Sequence, residues 1–311
     1  MDSPIPAPSN RPRTADLSYG VVTPVLDEAA HLERLAECLA GQTRLPAAWI
    51  IVDQASTDGT YEIAASLADT HPWVVVEATN GGTLARGAPI VRAFQSGVEA
   101  FGWVPNLVVK VDADISVGPD HFERLLEAFA GDPGLGIAGG IGYEKQADGV
   151  WRQRHGTGPA VWGACRAYRR ECLRDIMPLE EHMGWDTLDL MKANLRGWKT
   201  QVFYDLSFQH HRVEGERDGH RFRTSMIQGE AAHFMGYRVS YLAARTLYRA
   251  PRDPAALGLL VGFMRSRLAR RPRCADIELR AFVRNEQRWR KLPLRIREAL
   301  RPRAALEERL G

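Results

Sequence analysis

The sequence predicts an α/β fold, a mostly parallel sheet flanked by helices, followed by a helical C-terminal extension. Three observations predict it. Short apolar, β-branched runs recur between Tyr19 and Ile141, and segments with helical periodicity lie between them. After about Gly219 the strand pattern stops and an arginine-rich helical pattern takes over. Strands alternating with helices in this way imply parallel β-α-β units. The chain therefore divides into a tail over residues 1–15, an α/β domain over 16–218 whose first half ends near 141, and a basic helical extension over 219–311.

Residues up to about Ala15 carry Pro4, Pro6, Pro8 and Pro12 and read as a disordered tail. Tyr19–Val25 is the first strand. A helix over His31–Ala40 puts Leu32, Leu35, Ala36 and Leu39 on one face and ends at Gly41. Trp49–Asp53 is a second strand with a carboxylate at its end, and Ser56–Thr60 is a polar turn before a helix over Tyr61–Ala68. Val74–Val76 is a third strand, and Pro89 opens a helix with Ile90, Ala93, Phe94, Gly97, Val98 and Phe101 on one side. The next strand begins at Leu107. Pro119 starts a further helix, and Leu135–Ile141 is a glycine-rich strand. Beyond it, Tyr143–Pro159 reads as loop or edge hairpin, Val161–Tyr168 as a strand, Arg170–Ile176 as a short helix and Asp186–Arg196 as a helix stopped by Gly197. Lys199–Phe208 is strand-like and runs into His210, His211 and Arg212.

At 311 residues, with 45% hydrophobic and 25% charged side chains, the composition is that of an ordinary globular protein with a sizeable core. The net charge of +3 is too small to point to nucleic acid. Four cysteines without C-x-x-C pairing predict free thiols in a reducing compartment. Met1–Asn10 lacks the apolar core of a leader, and Ala255–Met264 is far short of the about 20 apolar residues that span a bilayer. The expected location is cytoplasmic.

The chemistry centres on Leu107–Asp114, an apolar run that ends in Asp112 and Asp114. Side chains two apart on an extended chain point the same way. Both carboxylates thus face one side at the carboxyl end of a strand, where open α/β sheets bind ligands. Two crowded carboxylates repel unless a cation intervenes, so a hard divalent ion (Mg2+ or Mn2+) against a phosphate-bearing substrate is the functional reading. An Asp-rich turn is the plain alternative.

Four segments in order resemble the family 2 glycosyltransferases, inverting enzymes of the Rossmann-like GT-A fold. They are Val21–Glu28; Ile51–Thr60, close to V-D-D-G-S-T-D-G-T; Asn80-x-Gly82 with Arg86, leading to Asp112-x-Asp114; and Trp185-Asp186, where the family usually has Glu-Asp. Gln54 and Ala55 stand where the family has an acidic residue and a glycine.

The resemblance implies a nucleotide-sugar donor, UDP- or dTDP-linked, a glycan or lipid-linked acceptor, and a place in polysaccharide biosynthesis. It implies that Thr23, Pro24 and Val25 line the nucleotide slot, that Glu28 meets the ribose and Asp53 a base N–H, and that Arg86, beside Gly82, meets phosphate. Asp112 and Ala113 would contact the ribose or a metal-bound water, Asp114 would ligate the metal, and one of His210 and His211 would complete the site. Asp186 is the candidate base, with helix capping as its ordinary alternative and Asp189, Glu180 and Glu181 as other acids. Trp162 and Gly163 would floor the acceptor site, with Trp185 beside them.

The extension carries Arg265, Arg267, Arg270, Arg271, Arg273, Arg280, Arg284, Arg288, Arg290, Lys291, Arg295, Arg297, Arg301 and Arg303 among apolar residues. Docking on an anionic membrane face is one reading and a solvated helical face the other; no nucleic-acid module accompanies the charge. No G-x-G-x-x-G follows the first strand and no P-loop is present, which excludes a dehydrogenase and a P-loop hydrolase. A sugar nucleotidyltransferase would show a glycine-rich basic loop there. The remaining alternative is a catalytically inactive scaffold of the same fold.

Overall fold

In the computed structural model the described residues are 14–79, 87–102, 104–145, 149–153, 160–212, 221–251 and 253–291. The first half alternates as expected: β1 (Tyr19–Val25), α1 (Ala29–Ala40), β2 (Ala48–Asp53), α2 (Thr60–Thr70), β3 (Val74–Ala78), α3 (Ala88–Ala100) and β4 (Leu107–Val111). Next come β5 (Ile115–Val117), α4 (His121–Gly131), β6 (Leu135–Lys145), β7 (Trp151–Gln153), β8 (Cys165–Arg169), α5 (Arg170–Ile176), α6 (Trp185–Leu195) and β9 (Lys199–His210). The strands form one sheet in the order β3-β2-β1-β4-β8-β6-β9-β5, with β7 paired to β6. Strands β1 to β4, β6 and β9 run one way; β8, β7 and β5 run against them. β6 and β7 make the edge hairpin expected after Ile141.

Apolar residues on both faces explain the two-sided burial. One side of the sheet packs Val21, Trp49, Val109 and Phe122 with α1 and α4; the other packs Val22, Val52, Phe94 and Tyr168 with α3 and α5. Strands covered on both faces read as continuous apolar runs, and all five residues of β4 are buried. The turn after β2 holds Ala55 at φ 62°. A left-handed backbone costs a residue with a Cβ roughly 1–2 kcal/mol, and glycine returns part of that through its freer unfolded chain. Ala55→Gly should therefore raise stability by about 0.5 kcal/mol, read as a small increase in unfolding temperature.

The extension forms α7 (Arg221–Phe234), α8 (Val239–Arg249), α9 (Gly258–Leu268) and α10 (Ile277–Glu286). Leu188 of α6 packs with Met235, Leu279 and Val283, which seats these helices on the α/β domain. α7 and α9 touch backbone to backbone: a Cβ at Gly258 would meet the Phe222 carbonyl at 2.6 Å, and at Gly229 the Phe263 nitrogen at 2.9 Å.

Candidate active site

The carboxyl ends of β1, β2 and β4 converge on one edge, as expected of a parallel arrangement. Thr23 is fully buried, and its hydroxyl accepts from Trp49 Nε1 at 2.9 Å; Val25 is buried too. Of that trio only Pro24 has a partly open side chain. Asp53 is 3% exposed. Its Oδ2 accepts from the backbone N–H groups of Ala55 (3.1 Å) and Ser56 (3.2 Å), while Oδ1 is buried with no hydrogen-bond partner among the described residues. Asp58 is a turn residue, taking the N–H groups of Thr60 and Ala29 at 3.1 and 3.0 Å. Gly82 and Arg86 lie outside the described residues. Gly87, next in the chain, sits so close to His182 and Met183 that a Cβ there would fall 2.6 Å from the Met183 nitrogen.

The two aspartates after β4 have different neighbours. Asp112 is half-buried and pairs with Lys110, whose ammonium also donates to the Gly163 carbonyl at 2.9 Å. Burial, and then the charge of Asp114, push its carboxyl above the usual range, with Lys110 opposing. Ala113 is buried between them. Asp114 is 5% exposed. Its Oδ1 lies 3.4 Å from His210 Nε2 and its Oδ2 3.6 Å from Arg212 Nη1. Burial alone would raise this carboxyl, but His210, Arg212 and His31 hold it at about 2.

The imidazole of His210 stands between Asp114 and Glu144, with Nδ1 3.6 Å from Glu144 Oε1. Burial works against its charge, but these carboxylates raise it to about 9. His211 turns away: its Nε2 is 2.8 Å from Ser116 Oγ and its ring meets Trp151 edge-on. Adjacent strand residues face opposite sides. Of the pair, His210 is the one that reaches Asp114.

Glu28 is held by Arg212 through two bonds of 3.0 and 2.7 Å, so the loop after β1 is tied to the end of β9. Arg212 and Lys110 are site residues that the sequence reading passed over. Lys110 had a signal, being a lone cation in an apolar strand on the same face as Asp112. The pairing of Arg212 with Glu28 spans 184 residues and left none.

Asp186 lies on the second residue of α6, and Gly184 occupies the cap position, so capping does not account for it. A Cβ at Gly163 would be 3.1 Å from Asp186 Cβ and 3.3 Å from Oδ2. The carboxylate thus rests on the residue whose carbonyl holds Lys110. It is half-exposed and accepts no hydrogen bond among the described residues.

The other acids are committed elsewhere. Asp189 is 3% exposed and takes 2.6 Å contacts from Arg166 and Tyr168, Glu181 pairs with Arg92 at 2.8 Å, and Glu180 accepts from Cys274 Sγ at 3.4 Å. Trp162 is partly open, stacked edge-on against His210 with centroids 4.8 Å apart. Trp185 is 6% exposed, with Lys110 and Arg166 over its ring, so it belongs to the core and not to an acceptor floor.

Asp114 Oδ1 and His210 Nε2 face each other as an ion pair, and a divalent ion would take these two by displacing the imidazole proton between them. Among the described residues no group of three or more His, Cys, Asp or Glu could hold a metal, so the remaining ligands would come from phosphate and water, as Mg2+ prefers.

Comparison with known proteins bears on the family and the fold. The chain is 36% identical over 108 residues to the succinoglycan biosynthesis protein ExoA of Rhizobium meliloti, covering 34% of this chain and 31% of that one. It is 29% identical over 187 residues to the undecaprenyl-phosphate 4-deoxy-4-formamido-L-arabinose transferase of Pseudomonas aeruginosa, covering 55% and 52%. The chain thus spans about half or less of these relatives. Among solved structures, the mannosyltransferase PcManGT from Pyrobaculum calidifontis, in complex with GDP-Man and Mn2+, superposes with a TM-score of 0.55 at 18% identity, covering 92% of this chain and 90% of that one, which shows a shared GT-A fold. The model of glycosyl transferase family 2 matches residues 20–183, more than half of the chain, and the protein belongs to that family.

Proposed function

We propose that this glycosyltransferase moves a sugar from a UDP- or dTDP-linked donor to a glycan or lipid-linked acceptor, with inversion, in the synthesis of a polysaccharide. One observation carries the reading. The Gly163 carbonyl accepts from Lys110, the partner of Asp112, and the Asp186 carboxylate, which accepts no hydrogen bond among the described residues, rests on the same glycine.

In an in-line displacement the acceptor oxygen attacks the anomeric carbon as the bond to the diphosphate breaks. Asp186 takes the proton from the acceptor hydroxyl, Trp162 and Gly163 shape its approach, and Asp112 orients the ribose. Asp114 and His210 would hold Mg2+ or Mn2+, which when bound neutralises charge on the departing diphosphate. The acceptor class draws support from the lipid-phosphate substrate in the name of the Pseudomonas relative, and the ion from the Mn2+ complex of the mannosyltransferase. The half-exposed Asp186 carboxylate, which accepts no hydrogen bond among the described residues, disfavours an inactive scaffold.

In this reading Asp53 Oδ1, without a hydrogen-bond partner among the described residues, accepts from the base. Asp53→Asn keeps an oxygen for the Ala55 and Ser56 N–H groups but presents a donor to a donor, and should weaken UDP binding roughly tenfold, measured by titration calorimetry. Thermal shift with UDP tests the centre: Mn2+ should increase the stabilisation of the wild type, and Asp114→Ala should remove that increase, a loss in metal affinity beyond the about 10–100-fold that removing a mere partner of a ligand costs. A shift by UDP that ignores Mn2+ in both proteins would overturn it. No described helix is long and apolar enough to cross a membrane. We place the enzyme in the cytoplasm, touching the inner membrane face through its basic helices, where a lipid-linked acceptor would lie.

A further inference from the structure

A cavity of about 240 Å³ opens among the C-terminal helices, lined by His233 of α7, Arg238 and Ser240 at the start of α8, Arg267 of α9, Arg273 after it, and Arg284 of α10. Among the described residues no carboxylate lines it. Arg238 is fixed by donating Nε–H to the Arg284 carbonyl at 2.7 Å. The neighbouring Arg271 is neutralised by Glu230 at 2.8 Å, but Arg267, Arg273 and Arg284 make no ion pair among the described residues. His233 is 3% exposed, and burial with the nearby arginines holds its pKa below the ordinary value, so its ring offers hydrogen bonding without further charge. Four guanidinium groups around one space repel each other until an anion enters, and arginine's planar donors match phosphate oxygens. The volume is below the about 300–1,000 Å³ of pockets that enclose whole ligands, and suits one small anionic group.

α9 adds an independent observation. Its outward face carries Val261, Met264 and Leu268, exposed by 45%, 39% and 77%, and Leu257 just before the helix, exposed by 48%, continues the line. The spacing of four, three and four places them in one line, while Gly258, Gly262 and Phe263 pack inward. Single exposed apolar residues are ordinary, but a continuous stripe marks an interaction surface. Exposed Arg265 and Arg267 flank the stripe on either side. An exposed apolar stripe bordered by arginines suits a partner that is anionic at one level and apolar at the next. Arg267 belongs to both features, bordering the stripe and lining the cavity.

We propose that the cavity holds the phosphate of an anionic lipid headgroup while the outer face of α9 enters the acyl boundary beside it. This rests on the reading that the basic helices meet the membrane, and not on the transfer reaction. Flotation of the full chain with phosphatidylglycerol-containing and pure phosphatidylcholine vesicles tests it, with the Mn2+-dependent UDP thermal shift as a check of folding. The wild type should bind the anionic vesicles. Arg267→Gln with Arg273→Gln should lower that binding by roughly tenfold or more, and Val261→Asp with Leu268→Asp should lower it without altering a thermal shift caused by soluble short-chain phosphatidylglycerol. All variants should keep the UDP shift. Arginine variants that float like the wild type would overturn the cavity while leaving membrane contact standing, and a wild type that binds neither vesicle would overturn both. Stabilisation by inorganic phosphate without vesicle binding would identify a free-anion site and overturn the lipid. Loss of the UDP response in a wild type that still floats would count against the transfer reading alone.

Discussion

Asp186→Asn should lower kcat by about 10²–10⁴-fold, the usual worth of a positioned general base, with nucleotide affinity and folding stability unchanged. The amide keeps the shape of the carboxylate against Gly163, where Oδ2 lies 3.3 Å from the point a Cβ would occupy, so the surface there is preserved. It cannot take a proton. The carboxylate accepts no hydrogen bond among the described residues, so its replacement leaves no buried donor unpaired, and stability should be that of the wild type. The measurement is release of nucleoside diphosphate from a UDP-sugar in the presence of acceptor, beside a UDP titration. A loss of activity that tracks a loss of nucleotide binding, or no loss at all, would remove Asp186 from the base role.

The fold was legible because burial on both faces leaves long β-branched runs. Tyr19–Val25 and Arg170–Ile176 coincide with β1 and α5 to the residue. β5 was not legible: Ile115–Val117 is three residues long, interrupted by Ser116, and exists by pairing with β9, which is far away in sequence. The same limit applies at the site. Asp112, Asp114 and Asp186 announce themselves by local pattern, but which histidine faces Asp114 depends on the register of β5 against β9, where Ile115 opposes His210. Trp185 shows the reverse error. An aromatic residue beside a candidate base suggests a sugar platform, yet its ring is consumed by Lys110 and Arg166, cations that no local rule assigns to it.

Asp189→Asn should separate the two acids of α6 by destabilising the protein by about 3–5 kcal/mol, the usual cost of removing one partner of a buried ion pair. Arg166 is fully buried, and its Nη1 donates to both Asp189 oxygens at 2.6 Å and to the Asp186 carbonyl at 2.9 Å. Tyr168 Oη–H and the Leu190 N–H also donate to Asp189 at 2.6 Å. Burial pushes this carboxyl up while Arg166 and Tyr168 pull it down, and with every donor aimed at its two oxygens we take the pair as ionised. The amide would leave the guanidinium without its counter-charge in the core and set an N–H₂ against one of these donors. Thermal unfolding should begin roughly ten degrees earlier. Because Arg166 also supports the backbone of Asp186, the folded fraction should lose some turnover, but far less than Asp186→Asn. Replacing both partners, Arg166→Met with Asp189→Leu, should cost less stability than Asp189→Asn alone, since neither charge is then stranded. If Asp189→Asn instead unfolds with the wild type and abolishes turnover, the proton passes to Asp189, and the buried pair is chemical where its geometry says it is structural.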